Sequence, residues 1–362
     1  MLIMQERPPV APALVDERLW EGVDRVLDRA PQLADLRRHQ LGPLAARRFR
    51  KLGRPVPEEL LDEERFAAIV VLTAPVVLAR AREAIAGPLL VMKGPAVAAR
   101  YPDEALRPFK DLDLLVKDAE AAQRNLVAAG FHPVGDPALY DGIHHLRPLA
   151  FPGLPLTVEV HSAPKWIEGL PPPDLAELFA AADKEGLRID GVLTLPAAHH
   201  AIVLAAHSWA HEPLRRLRDL VDVASMAQGL DREELARIAT TWKIEKAWAT
   251  TIGAADELFL DGRPTWAVRL WGQNLRQARE RTVLENHLVR WLGSFWALPA
   301  GDALRSLGGT LHSEVRPDAG ETWKEKLQRS ARAVRNAARR RSEHEDSLRR
   351  DAERERSDRT SA

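Results

Sequence analysis

The chain has 362 residues, long enough for two or three folding units, and a hydrophobic fraction of 45% that is ordinary for a protein with a sizeable core. Lys plus Arg and Asp plus Glu balance at 52 each, so no overall field draws it to nucleic acid or a membrane, and such attraction has to come from local patches. The lack of Cys excludes disulfides, thiolate metal sites and cysteine nucleophiles, which fits a reducing compartment.

In chain order, the N-terminus is apolar for four residues and then meets Gln5, Glu6 and Arg7, which is not a secretory signal. The longest apolar runs, such as Ala67–Leu72 and Ala201–Ala206, fall far short of the ~20 residues that cross a bilayer. A soluble cytoplasmic protein without a transmembrane segment is the expectation. Residues 1–87 read as an N-terminal helical region. Leu19, Val23, Val26 and Leu27 recur at helical spacing, and an Ala- and Leu-rich pattern predicts one long helix from Pro57 to Ile85.

After Gly87-Pro88 the texture changes, and residues 88–195 read as a mixed α/β unit. PLLVMKG predicts a short buried strand, PAVAARY a short helix, and DLDLLVK a strand with alternating acid. Asp118 is placed to cap AEAAQRNLVAAG, and Gly130 stands where that helix ends. FHPVG, a loop and HHLRPLAF follow, then LTVEVH, in which Thr157, Glu159 and His161 share one face. Residues 196–320 return to helix, with Asp231 and Glu234 spaced as a capping box. Repeated Trp there reads as helix-packing core. From about Glu321 to residue 362 charge dominates, giving a tail that is either helical or disordered. Its basic stretch, 324–341, is a candidate for weak contact with nucleic acid or an anionic surface.

The pattern richest in chemistry is RPFKDLDLLV. Side chains at i and i+2 of a strand project from one face, so Asp111 and Asp113 point together while Leu112 and Leu114 enter the core. Carboxylates this close repel each other, and a hard divalent cation such as Mg²⁺ or Mn²⁺ removes that cost. A third carboxylate on a neighbouring strand, for which Glu159 is the candidate, would complete a two-metal site suited to in-line attack on phosphate. An Asp-x-Asp at a solvated strand edge is the alternative reading of the pair taken alone.

The run VMKGPAVAARYPDEALRPFKDLDLLVK, followed by HHLRPL and TVEVH, resembles the nucleotidyltransferase family related to the DNA polymerase β superfamily. The likeness covers roughly residues 88–165 and continues, less closely, through HHAIVLAAHSWAHEPLRRLRDLVDVA. It implies an α+β fold in which a small mixed sheet forms the nucleotidyltransferase core at 88–195, flanked by helical regions. It also implies a nucleoside triphosphate donor, ATP first among them, and a divalent metal. By the matched motifs Asp111 and Asp113 would be metal ligands, and Glu159 a third ligand or general base.

The wider superfamily carries Gly-Ser or Gly-Gly after its first strand, where this chain has Lys93-Gly94-Pro95. Lys93 and Arg107 are therefore the candidates for the phosphate contact. His161 shares the face of Glu159 and is a candidate catalytic group, and His145 is the member of the His144-His145 pair expected to face the site. His207 and His211 share a helix face but lack an HExxH context, and read as structural. The expected reaction is transfer of a nucleoside monophosphate to an unidentified small molecule, peptide or polysaccharide precursor, or RNA, with release of pyrophosphate. The rival readings are a non-catalytic nucleotide-binding or scaffolding protein with a degenerate phosphate loop, and a different phosphoryl-transfer or hydrolytic reaction at the same metals.

Overall fold

The computed structural model describes residues 17–137, 140, 145–183, 187, 189–316 and 322–338. The architecture is α+β and mostly helical, and among the described residues there is one mixed sheet of six strands in the order β3-β4-β5-β2-β1-β6. The strands are β1 (Leu89–Val91), β2 (Asp111–Leu115), β3 (His132–Pro133), β4 (Leu149–Ala150), β5 (Thr157–His161) and β6 (Val192–Thr194). β2 runs parallel to β5 and antiparallel to β1, which in turn runs parallel to β6.

Among the described residues, the chain opens with the short helices α1 (Glu17–Leu27), α2 (Leu33–Arg38) and α3 (Gly42–Lys51). The long helix α4 (Glu58–Ala84) follows them, with Glu58 and Glu59 in its first turn, where negative charge suits the helix N-terminus. α4 buries Ala67, Val70, Ala74, Val77, Leu78 and Ala81 at helical spacing. This stripe covers one face of the sheet, packing with Val91, Leu112, Leu114, Val158 and Val160. The short α5 (Pro95–Ala98) follows β1, and α6 (Ala119–Ala128) follows β2. The Asp118 carboxylate accepts from the Ala121 amide at 2.9 Å, and α6 stops just before Gly130.

The stretch HHLRPLAF does not form one strand. His145 makes a single antiparallel bridge to His161, and pairing resumes only at β4. Pro148 lies between them and has no amide hydrogen to continue a ladder. His144 lies outside the described residues.

After α7 (Leu175–Ala181) and β6, helices α8 (Ala197–His211), α9 (Leu217–Ala227), α10 (Arg232–Thr241) and α11 (Glu245–Phe259) build the second layer. They pack with the opposite sheet face, through Leu90, Met92, Leu115, Leu193 and Leu195, and with α1 to α3. α1 crosses α11 so closely that a Cβ at Gly22 would stand 1.8 Å from the Phe259 carbonyl oxygen. Asp231 caps α10 through the Glu233 amide as a plain N-cap. Reciprocal capping bonds are made instead by Thr282 with Glu285 and by Thr322 with Glu325.

The chain continues through α12 (Trp266–Leu270), α13 (Gln273–Arg276), α14 (Val283–Leu292), α15 (Ala300–Val315) and α16 (Trp323–Ala338). Trp242, Trp248 and Trp271 are core, as expected, whereas Trp266 and Trp323 stay 68% and 61% exposed. Most of the basic stretch is thus helical, with Lys324, Arg329 and Arg335 exposed, and Arg339 to Arg341 lie outside the described residues. Among the described residues no helix is long and apolar enough to cross a membrane.

Candidate functional site

The site lies on the sheet face that meets α8. The parallel register of β2 and β5 sets Asp111 beside Thr157, Asp113 beside Glu159 and Leu115 beside His161. Because β-strand side chains alternate, one face presents both Asp residues, Glu159 and His161. One ligand atom each from Asp113, Glu159 and His161 lies within 4.8 Å of the others. Asp111, one residue pair further along the same face, is outside that compact set but still acts on Glu159 through its charge.

Asp113 is 2% exposed. Its Oδ1 lies 3.2 Å from Lys93 Nζ and 3.2 Å from His161 Nε2, while the buried Oδ2 has no hydrogen-bond partner. Burial acts to raise the Asp113 pKa, but Lys93 and His161 override it and hold the group well below the ordinary carboxylate value. Glu159 behaves oppositely. Burial, then Asp113 and Asp111, push its pKa up to about 7.

Lys93 follows β1, which a bond from the Met92 amide to the Asp113 carbonyl ties to β2. Gly94 then turns the chain at φ +62°, a left-handed conformation that favours glycine, although a Cβ there would meet the Phe109 ring only at ordinary contact distance. The Lys93 ammonium lies 2.9 Å from His207 Nε2 on α8. An ammonium only donates, so His207 accepts through a neutral ring. Burial and then Lys93 hold its pKa well below the usual histidine value. One turn on, His211 faces Lys165 Nζ at 2.8 Å, and burial followed by Lys165 lowers the His211 pKa to about 4. Burial, then Lys93, also lowers the pKa of Lys165. The two histidines expected to be structural thus line the acid cluster, their rings 4.5 Å apart. Lys165 carried no sequence signal beyond following His161 by four residues.

His145 borders the site as expected, its Nε2 3.7 Å from Glu159 Oε2. Arg107 has a different neighbourhood from the one expected. It is 2% exposed, its Nε and Nη2 each donate to Asp222 on α9 at 2.8 Å, and Nη1 lies 3.4 Å from the Gly94 carbonyl oxygen. Tyr101 donates to the same carboxylate at 2.7 Å. Arg107 therefore holds the loop after β1 against α9. Asp222 is the Asp that ends the RLRDLVD stretch, and only the structure identifies its partner.

Buried carboxylate oxygens beside an imidazole, one of them without a partner, are a donor set that fits a divalent cation. A family model described as uncharacterised nucleotidyltransferase matches residues 30–260, which takes in α2 to α11 and the whole sheet. No curated protein matches the sequence significantly. The family match extends across the acid strand, Glu159 and the α8 histidines alike, and the chain belongs to this family of uncharacterised nucleotidyltransferases.

Proposed function

We propose that the protein transfers a nucleoside monophosphate from a nucleoside triphosphate, ATP first among donors, to an acceptor hydroxyl, phosphate or protein side chain, releasing pyrophosphate with Mg²⁺ or Mn²⁺ as cofactor. The observation that carries this reading is one sheet face bearing Asp111, Asp113 and Glu159, with the ammonium groups of Lys93 and Lys165 beside them. Asp113, Glu159 and Asp111 would hold the ion, with His161 alongside. A bound divalent ion supplies charge compensation on the phosphates and makes the attacking hydroxyl more acidic.

The chain's own groups divide the remaining work. Lys93 and Lys165 present ammonium groups to the phosphate oxygens. Glu159, which reaches the cluster from β5 beside the Asp pair of β2, is placed to accept the acceptor's proton. As the acceptor oxygen bonds to the α-phosphorus, the bond from that phosphorus to the pyrophosphate oxygen breaks. The proton passes to Glu159, and pyrophosphate leaves. Gly94 and Arg107 act indirectly, by setting the path of the loop that carries Lys93.

The test uses nucleoside triphosphates labelled at the α- or γ-phosphate, incubated with protein, divalent metal and cell extract. Label from the α-position should become attached to an acceptor, and Asp113→Asn should abolish the attachment. Attachment of γ-label would make the protein a phosphotransferase. Triphosphate binding without transfer of either label would favour a non-catalytic binding protein.

Lys93→Ala should weaken triphosphate binding at least about tenfold, or roughly 1.4 kcal/mol. Isothermal titration with a non-hydrolysable analogue measures this, and unchanged affinity would remove Lys93 from the phosphate site.

A further inference from the structure

We propose that the outer face of α4 is a docking surface for a second copy of this chain, the two α4 helices packing antiparallel. The inference rests on neither metal nor nucleotide.

The spacing of the exposed residues is the first argument. While one side of α4 enters the core, Arg65, Ile69, Leu72, Val76, Ala79 and Glu83 follow one another on the other side at alternating intervals of four and three. That pattern repeats every seven residues and is the seam by which one helix packs along another. From Arg65 to Glu83 it runs about 27 Å, the length of roughly five helical turns. Ile69, Leu72 and Val76, at its centre, are large and apolar yet 50%, 76% and 47% exposed. Exposed apolar side chains scattered singly are ordinary, whereas three in consecutive seam positions form a continuous strip of the kind that marks an interface.

The charges at the ends of the strip select the partner. The seam is cationic at Arg65, apolar in the middle and anionic at Glu83. A second α4, laid antiparallel about a two-fold axis at the level of Ala74, sets Leu72 opposite Val76 of the second copy and Ile69 opposite its Ala79. The same register brings Arg65 to Glu83 of the second copy, and the symmetry repeats each pairing. Laid parallel, the helices would bring Arg65 onto Arg65 and Glu83 onto Glu83, which repel. An antiparallel slip of one heptad would press Arg65 against Val76 and strip the charge of its water. The symmetric antiparallel register matches the apolar centre and the charged ends at once. Arg65 meets Glu58 and Asp62 of its own helix at 2.9 Å, but these contacts are exposed and weak enough to exchange.

The surface also lies clear of the acid cluster. α4 covers one face of the sheet and the cluster occupies the face that meets α8, so copies joined through α4 leave both clusters uncovered.

The experiment follows sedimentation of the full-length protein from micromolar to submillimolar concentration, with melting temperatures taken where the protein is monomeric. One pair of helices is at the small end of interface sizes, so a dimer of micromolar Kd is expected. Leu72→Glu should weaken self-association at least about 100-fold and leave the monomer's melting temperature unchanged. Arg65→Glu and Glu83→Arg should each weaken it at least about fivefold. Combining the two exchanges should bring the Kd back to within about twofold of the wild type, because the opposite charges meet again. A protein that stays monomeric at every concentration overturns the proposal. If Leu72→Glu then lowers the melting temperature of that monomer, the seam is covered by the chain's own segments instead. Dimers that survive Leu72→Glu pair through another surface and overturn it equally. Single charge variants that dimerise like the wild type overturn the antiparallel register.

Discussion

Glu159→Gln is expected to lower the rate of nucleotidyl transfer at least about 10²-fold while leaving nucleoside triphosphate affinity within a few-fold. Glu159 reaches the cluster from β5, whereas both Asp residues come from β2, so removing its charge leaves the β2 carboxylates and Lys93 in place. In the metal-free cluster burial and the charges of Asp113 and Asp111 raise its pKa to about 7, and a bound cation would offset that repulsion and leave it ionised, ready to take a proton. Gln keeps the shape and accepts no proton.

His161→Ala is the informative comparison, because His161 Nε2 lies 3.9 Å from Glu159 and 3.2 Å from Asp113. A variant that has lost only a metal ligand should recover most of its rate as metal concentration is raised, whereas Glu159→Gln, which loses the base as well as a ligand, should stay slow at saturating metal. Single-turnover rates across a metal titration separate the two. Normal turnover by Glu159→Gln, with His161→Ala inactive at every metal concentration, would make His161 the base.

Arg107→Met is expected to destabilise the protein by about 3–5 kcal/mol, and Asp222→Asn by a comparable amount. Each leaves behind the other member of a pair buried to 2% and 3% exposure. An unpaired charge at such depth has neither water nor a partner to offset its desolvation. Burial acts to raise the Asp222 pKa, yet Arg107 overcomes it and holds Asp222 below the ordinary carboxylate value. The sign of the pH dependence follows. The contribution of Asp222 is present above the unfolded value of 3.8 and is lost as pH falls through the lower folded value. Between neutral pH and about 5 the pair should hold constant.

Replacing both residues together by apolar ones, Arg107→Met with Asp222→Leu, should restore much of the loss, because no lone buried charge remains. Urea denaturation of the three variants measures this. A loss below about 1 kcal/mol in both single variants would show that water reaches the pair. The double variant should remain impaired in transfer even where stability returns, since Arg107 also meets the Gly94 carbonyl beside Lys93.

Local pattern alone reveals a large part of this molecule. The Ala-rich run predicted between Pro57 and Ile85 is α4, Asp118 caps α6, and the alternation in DLDLL and TVEVH forms β2 and β5. A period of two fixes which side chains share a face, so the company of Asp111 with Asp113, and of Glu159 with His161, is legible in the order of residues alone. The resemblance carried by those motifs leads to the right family.

Periodicity assigns a face and is silent about neighbours. That Asp113 stands beside Glu159 depends on the register of two parallel strands, which a crossover long in sequence separates and only the packed sheet selects. The meetings of Lys93 with His207, Lys165 with His211 and Arg107 with Asp222 join residues remote in the chain, brought together when α8 and α9 cover the sheet. Arg107 shows the reason most plainly. Beside an acidic motif its charge suggests phosphate, but a guanidinium enclosed by the fold must be matched by a fixed carboxylate, and tertiary packing alone decides that the match is Asp222.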